Sequence, residues 1–257
     1  VMTRAGSWDN YRLDLDASGR LNSEGTLRGR MVASYEDRGY FTDVTKSKRP
    51  LLYGILEGDL SDATTVAVGL RRQTSRVDGY SVLGLPNNPD GSNPHLKRST
   101  YLGQDWTKLQ VNMNEVFADL THTFNDNWSA KLAMSHSEGG YNRSALEWGV
   151  DYDQPGTLEY AAPGAPRVTG VGYHEFSVIS NAFDGHLDGS FDAFGYTHQV
   201  TLGANWSKRK MNDKDATEYL AQPDPLNVYN PSHHNIPELA RQGWDTEHDS
   251  IDTLYGV

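Results

Sequence analysis

Residues 116–136, VFADLTHTFNDNWSAKLAMSH, contain the feature that most constrains the fold: a two-residue alternation on both sides of one polar turn. Apolar residues occupy every second position of each arm, with mainly polar or small residues between them. This period is typical of β-strands with one apolar and one polar face. The turn consists of Asn125, Asp126 and Asn127, residue types that favour hairpin connections. The segment therefore predicts an antiparallel hairpin.

The same alternation predicts three more hairpins and a ninth strand that begins near Ile251. The three hairpins comprise residues 11–17 with 27–35, residues 52–60 with 66–70, and residues 183–191 with 196–206. Each is closed by a short turn, whereas the connections at the opposite end are long and irregular. These predicted long connections are residues 37–49, 74–107, 138–176 and 207–250.

This layout of connections favours a transmembrane β-barrel. Structureless loops longer than about 15 residues are uncommon in compact domains, but barrels of the bacterial outer membrane combine short periplasmic turns with long extracellular loops. Each arm of the 116–136 hairpin also has roughly the nine residues that a tilted strand needs to cross a bilayer. We therefore predict an all-β fold, an antiparallel transmembrane β-barrel to which this chain contributes about eight to nine strands.

Composition restricts the partners of the chain. Its 257 residues carry a formal net charge of -11, so nucleic acid is excluded because phosphate binding requires clustered Lys and Arg. Cys is absent, which excludes a disulfide framework and a thiolate metal site. The chain begins at Val1 without the pattern of a signal peptide and ends at Val257 in a predicted strand, so we expect a piece of a larger protein.

The sequence resembles the barrel of TonB-dependent ferric-siderophore receptors, and most of all the branch that takes up pyoverdines, pseudobactins and coprogen. The resemblance lies in GSWDNYRLDLDASGRLN (6–22), GTLRGRMVASYEDRGYF (25–41), YGILEGDLSDATTVAVGL (53–70), GLP (84–86), Trp106 and EVFADLTHTFNDNW (115–128). It extends over residues 6–136 and is weaker, at the level of pattern, over residues 176–206.

The resemblance implies a 22-stranded barrel that encloses an N-terminal plug, with a short box before the plug on which TonB pulls. All of residues 1–257 are then expected to belong to the barrel domain, and the plug, the TonB box and the C-terminal strands are expected outside this chain. The implied ligand is a ferric siderophore, the implied location is the bacterial outer membrane with its lipid and lipopolysaccharide, and no enzymatic activity is implied. Iron would arrive inside the siderophore, so no cofactor is expected.

Charged residues of the predicted strands lie opposite the apolar face. Since Arg or Lys on a lipid face costs roughly 2 to 4 kcal/mol near the midplane, we predict that Val116, Leu120 and Leu132 face lipid, and that Asp119 and Lys131 face an aqueous or plug-filled lumen. Ordinary cross-strand ion pairing is equally compatible with the pattern. The other charged residues on the polar side are Asp14, Asp16, Arg28, Arg30, Glu57, Asp59 and Arg71.

The long connections are rich in aromatic residues. The resemblance implies an aromatic pocket there, which could hold a flat iron chelate without removing its metal; the packing of loops is the alternative for each ring. Trp106, Tyr101 and Trp148 are the strongest candidates because they lie near junctions of loop and strand. The full set of predicted ligand-binding residues is Trp106, Tyr101, Trp148, Tyr80, Tyr141, Tyr152 and Trp244.

No catalytic or metal site is predicted. Asp14-x-Asp16 begins like a calcium loop, but Gly25 stands where the final Glu is required and the flanks are strands. His233, His234 and His248 lack a spacing that aims them at one ion, so a solvated loop is favoured. Two alternative functions stay open: a passive porin-like or adhesin barrel, and a soluble β-rich domain that binds or hydrolyses carbohydrate.

Overall fold

A computed structural model describes residues 1–82, 84–85, 92–147, 167–222 and 229–256. Its strands form one ten-stranded antiparallel sheet in which each strand pairs with its neighbours in sequence. The strands are β1 (Met2–Gly6), β2 (Asn10–Arg20), β3 (Leu27–Gly39), β4 (Lys46–Ser61), β5 (Thr64–Asp78), β6 (Lys108–Asn125), β7 (Trp128–Glu147), β8 (Arg167–Ala193), β9 (Tyr196–Gln222) and β10 (Asp245–Gly256).

Over these described ranges, no helix is long and apolar enough to cross a membrane.

The four predicted turns lie at one end of the sheet, and the connections predicted to be longer lie at the other. The turn end carries residues 21–26, 62–63, 126–127 and 194–195, and the described residues at the loop end are 7–9, 40–45, 79–82, 84–85, 92–107 and 229–244. Phe194 and Gly195 both have positive φ, at 54° and 79°, which is the backbone of a two-residue hairpin turn that matches strand twist. At residues 126–127, the side-chain oxygen of Asn125 accepts a hydrogen bond from the Asn127 amide at 2.9 Å.

The apolar face is continuous across the sheet. Leu70 pairs with Gly54 on one side and with Val116 on the other, and Leu120 pairs with Leu132. Although apolar, Val116 is 53% exposed and Leu132 is 42% exposed. A broad apolar surface without protein cover suits contact with lipid.

The polar face carries cross-strand ion pairs. Arg28 contacts Glu57 at 2.8 Å and Asp59 at 2.7 Å, and Arg30 contacts Asp16 at 2.7 Å. Further pairs on this face are Arg12–Asp14, Arg71–Glu115 and Lys131–Asp119. Every charged residue assigned to the polar side from the sequence therefore has a partner of opposite sign.

The strands are longer and more numerous than predicted. The short β1 (Met2–Gly6) was not predicted, and the predicted irregular segments 138–176 and 207–250 were wrong over much of their length, since β7 to β10 extend into them. β8 and β9 have 27 residues each, whereas about 9 to 11 suffice to cross a bilayer. Outside the membrane a strand needs no apolar residue at alternate positions, so the backbone ladder continues where the sequence pattern fades.

Candidate functional site

A hydrophobic cluster at the loop end holds the loops against the extended strands. It consists of Leu146, Val171, Tyr173 and Ile236, all buried, with Trp106, Ala216, Leu220, Leu239 and Trp244 packed against it. Leu146 lies an even number of residues beyond Leu132 on an unbroken ladder, so it continues the apolar face. There Ile236 and its loop neighbours take the place that lipid would hold nearer the turn end. We call this cluster, together with residues 231–244, the loop layer.

Gln104 connects the loop layer to the segment before β6. Its side chain is fully buried; its Nε2 donates to the Ser232 carbonyl and to Asn235 Oδ1, both at 3.0 Å, and its Oε1 accepts from the Ile236 amide at 3.1 Å. Trp106 Nε1 donates to the Ile236 carbonyl at 2.7 Å. The side chains of Gln104 and Trp106 thus hydrogen-bond to the backbone of residues 232–236 and hold the loop layer against the segment before β6.

A cavity of about 390 Å³ lies between the loops at residues 41–45, 79–81, 84–85 and 98–102. Tyr80 and Tyr101 line it together with Phe41 and Arg98, whose guanidinium lies 4.7 Å from the centre of the Phe41 ring. Tyr101 is only 4% exposed. Its hydroxyl donates to the Tyr80 carbonyl at 3.2 Å and lies 2.6 Å from Thr107 Oγ1, and burial raises the pKa of this phenol. The volume and lining suit a flat aromatic or chelate group.

A second group of functional side chains lies on the polar face near the loop end, and we call it the polar cluster. It consists of Tyr141 on β7, His174 and Phe176 on β8, and Asp213 and Asp215 on β9. Tyr141 stacks on Phe176 with ring centres 5.6 Å apart and meets His174 edge-on at 5.0 Å. His174 contacts Asp213 through Nε2 and lies 3.6 Å from Asp215 through Nδ1.

The surroundings of Tyr141 favour its neutral phenol. Its pKa is raised, first by burial and then by the negative charge of Asp213, with a smaller contribution from Asp215. The polar cluster and the cavity are thus two aromatic groups, both at the loop end of the sheet.

The predicted ligand-binding residues separate into three groups. Tyr80 and Tyr101 line the cavity, and Tyr141 belongs to the polar cluster. Trp106 and Trp244 pack on the loop layer, where Arg241 lies 4.0 Å from the centre of the Trp244 ring. Trp148 and Tyr152 lie outside the described residues.

Sequence reasoning missed His174, Phe176, Asp213 and Asp215. A signal for them exists, because His174-x-Phe176 and Asp213-x-Asp215 each have the spacing that places two side chains on one strand face. Residues 138–176 and 207–250 contain these pairs, and their composition predicts irregular loops, so the two-residue spacing indicates no strand face there.

The paired histidines of the loop layer serve as hydrogen-bonding residues. His233 Nδ1 lies 3.1 Å from the Gly103 carbonyl, and His234 Nδ1 lies 2.8 Å from Asp105. His248 lies on β10 opposite Asn212. His233 and His234 therefore bind different groups of the segment before β6, and His248 lies on a strand and not in the solvated loop expected for it.

A concavity of about 710 Å³ lies away from these residues on the apolar face. Its lining includes Gly29, Met31, Leu56, Val68 and Val116. Gly54 adds to the depression because a Cβ built there would meet nothing within 4 Å. A groove of this composition, exposed on the apolar band, suits an acyl chain better than a polar ligand.

No family model matches the chain, but individual proteins do. The chain is 39% identical over 236 residues to the ferric-pyoverdine M114 receptor of Pseudomonas sp. (strain M114), a match that covers 91% of this chain and 27% of that protein. It is 34% identical to the ferripyoverdine receptor of Pseudomonas aeruginosa (strain PAO1), with 79% of this chain and 24% of that protein covered. The chain thus spans about a quarter of the length of these relatives.

Solved structures match nearly the whole chain. The crystal structure of the outer-membrane ferripyoverdine receptor of Pseudomonas aeruginosa bound to ferripyoverdine superposes with a TM-score of 0.78 at 27% identity, covering 98% of this chain and 33% of that one. The ferric-catecholate import receptor Fiu of E. coli K12 in its open form has a TM-score of 0.76 at 15% identity, covering 98% and 40%. At that identity, the second match supports the fold alone.

Proposed function

Because this chain belongs to the family of outer-membrane ferric-siderophore receptors, as its sequence predicts, we propose that it supplies part of the barrel wall and of the loops with which such a receptor binds a ferric siderophore of the pyoverdine class. The homologues are receptors and not enzymes. The observation that carries the proposal is the presence of two aromatic groups at the loop end, the cavity lined by Tyr80 and Phe41 and the polar cluster around Tyr141.

The proposed contacts follow from accessibility. Tyr141 and Phe176 offer partly exposed ring faces beside charged groups, and Tyr80 with Phe41 offers an aromatic wall. Aromatic faces hold a flat chelate by stacking, and neighbouring polar groups orient its peptide. Tyr101 is a buried lining residue of the cavity, and Trp106 and Trp244 pack within the loop layer. Trp148 and Tyr152 stay predicted contacts.

Two further partners belong to this proposal. Membrane lipid and lipopolysaccharide would cover the apolar band, including the concavity at Gly29 and Met31. In the full-length protein, a plug and a TonB box outside this chain would couple release of the siderophore to TonB. The ion-paired polar face would then form the wall against which the plug moves, and iron would stay inside its chelator throughout uptake.

The test is binding of a panel of ferric siderophores, ferric pyoverdine included, to the full-length natural protein in detergent, measured by quenching of Trp fluorescence. We expect Tyr141→Ala to raise the Kd of the preferred ligand by up to about tenfold, because an aromatic stacking contact contributes about 0.5 to 1.5 kcal/mol. Tyr196→Ala, at the turn end and 74% exposed, is the matched control and should change the Kd by less than about twofold.

Two outcomes would contradict this proposal. Absence of binding to every ferric siderophore in the panel would favour a passive porin-like or adhesin barrel. An unchanged Kd in Tyr141→Ala, together with unchanged values for Trp148→Ala and Trp106→Ala, would show that the site residues are wrong even if the receptor binds. A soluble β-rich domain is disfavoured by the exposed apolar band, and a monodisperse monomer without detergent would be required to revive it.

A further inference from the structure

Strand periodicity brings one imidazole and two carboxylates to a single point of the polar face. Asp213 and Asp215 are two residues apart on β9, so they project to the same side while Lys214 between them projects to the other. His174 on β8 is the cross-strand partner of Asp215, and directly paired side chains have Cβ atoms about 4.5 to 5.5 Å apart. One ligand atom from each of the three residues lies within 4.8 Å of the others.

These separations are within reach of one metal ion. Two atoms that each lie about 2.1 Å from an ion can be at most about 4.2 Å apart, given the usual lengths of Zn–N and Zn–O bonds. A rotation of the Asp215 side chain, which is exposed, closes the remaining gap. One nitrogen and two carboxylate oxygens suit a borderline divalent ion such as Zn²⁺, whereas Mg²⁺ and Ca²⁺ prefer oxygen alone.

A neighbouring hydroxyl is placed to orient the imidazole. Tyr141 Oη lies 3.2 Å from His174 Nδ1 and 3.4 Å from His174 Nε2, and the Tyr141 ring packs edge-on against the imidazole. Metal-binding histidines almost always use their second ring nitrogen in such a hydrogen bond, which fixes the tautomer and the ring orientation. Arg143 on β7 is the cross-strand partner of His174. With a neutral imidazole, the two carboxylates and the Arg143 guanidinium together carry one net negative charge, which favours a cation.

A second histidine shows what this geometry adds. His186 also lies between two carboxylates, with Nδ1 3.4 Å from Asp184 and Nε2 3.5 Å from Asp188. Both aspartates belong to the same strand as His186, four residues apart, whereas Asp213 and Asp215 are two residues apart on the strand next to His174. Among the residues that the structure describes, only His174, Asp213 and Asp215 form a group of three whose ligand atoms converge.

We propose that His174, Asp213 and Asp215 form a binding site for a divalent transition-metal ion, with Zn²⁺ as the reference ion, at the loop end of the polar face. Three protein donors leave at least one coordination position open to water or to a donor atom of a bound ligand. The site lies beside Tyr141 and is distinct from iron carried inside a siderophore, because here the protein itself supplies the ligands.

The test is isothermal titration of Zn²⁺ into the full-length natural protein, purified without a histidine tag and treated with chelator, in the absence of any siderophore. We expect saturable binding of one ion at this site, and no binding heat with Mg²⁺. His174→Ala should weaken Zn²⁺ binding by at least about tenfold, since even the loss of outer partners of metal ligands costs 10- to 100-fold. The matched control His186→Ala should leave the affinity within about twofold.

A second variant and a spectroscopic readout guard against misfolding. Asp215→Asn changes an exposed side chain, keeps its size, and should also weaken binding, while the visible absorption bands of bound Co²⁺ should change in Asp215→Asn and stay the same in His186→Ala. Absence of saturable Zn²⁺ binding would overturn the proposal and leave His174 as a plain ion-pair partner of the two aspartates. Equal losses in His174→Ala and His186→Ala would overturn it as well.

Discussion

The long strands have two parts, and the same face of the sheet is treated differently in each. Near the turn end the apolar face is bare, and Leu132 is 42% exposed. Near the loop end the same face is covered, and Leu146 and Val171 are at most 4% exposed. Lipid can solvate apolar side chains inside the bilayer, but beyond it the protein must cover them with its own loops. The surrounding medium, lipid or water, therefore determines whether the apolar face of the sheet stays uncovered or is covered by loops.

A charge placed in each part tests this difference most strongly. Leu132→Arg puts a guanidinium near the middle of the predicted span and should lower the free energy of unfolding by about 2 to 4 kcal/mol. Tyr219→Arg changes a side chain that is 71% exposed on the extension of β9 and should cost less than about 0.5 kcal/mol. Urea unfolding of the full-length protein in liposomes, followed by Trp fluorescence, measures both. Equal losses would place Leu132 outside the hydrocarbon.

Sequence predicted the membrane part well because lipid imposes a pattern on it. The alternation through Val116 and Leu132, the turn at residues 126–127 and the opposite placement of Asp119 and Lys131 all follow from one rule. The same rule does not apply above the membrane, because neither face of a strand is required to be apolar there. Tyr173 and His174, consecutive residues of β8, lie in the hydrophobic cluster and in the polar cluster respectively. Strand length was therefore underestimated there.

The candidate site was predicted by residue type but not by arrangement. Aromatic content indicated Tyr80, Tyr101 and Tyr141; the first two line the cavity, and the third belongs to the polar cluster. Aromatic content could not distinguish these residues from Trp106, which packs in the loop layer. The indole nitrogen of Trp106 donates to the Ile236 carbonyl, 130 residues away in sequence. Contacts of that range depend on how loops cross the sheet, and no local pattern encodes them.

The covered part of the apolar face should depend on Gln104 in a way that the bare part does not. Gln104→Ala leaves the Ile236 amide and the Ser232 carbonyl without their partner, and the loss at the buried Ile236 amide costs about 1 to 3 kcal/mol. Since these contacts tie down one loop, we expect local opening of residues 231–241 and faster hydrogen exchange of their amides. Mass spectrometry of peptides from the full-length protein measures this exchange.

The control for Gln104→Ala is the same substitution at an exposed glutamine. Gln110 on β6 is exposed, so Gln110→Ala should leave exchange in residues 231–241 unchanged. Peptides from residues 116–136 should exchange equally slowly in both variants, because the ladder there is independent of the loop layer. Faster exchange over the whole sheet in Gln104→Ala would instead mean that the two parts open as one cooperative unit.

The smallest expected effect concerns Tyr173, whose hydroxyl donates to the Leu239 carbonyl within the loop layer. Burial, followed by the charges of Glu238 and Glu218, raises the pKa of this phenol to about 12. The folded pKa exceeds the unfolded value of about 10, so the stabilisation by the neutral phenol is complete below pH 10 and is lost as the pH rises towards 12.

Ionisation of Tyr173 can be measured as the difference in absorbance at 295 nm between the natural protein and Tyr173→Phe. This difference should appear near pH 12 in the folded protein and near pH 10 in guanidinium. A difference near pH 10 in the folded protein would mean that water reaches Tyr173 and that the loop layer leaves this part of the face as bare as the membrane part.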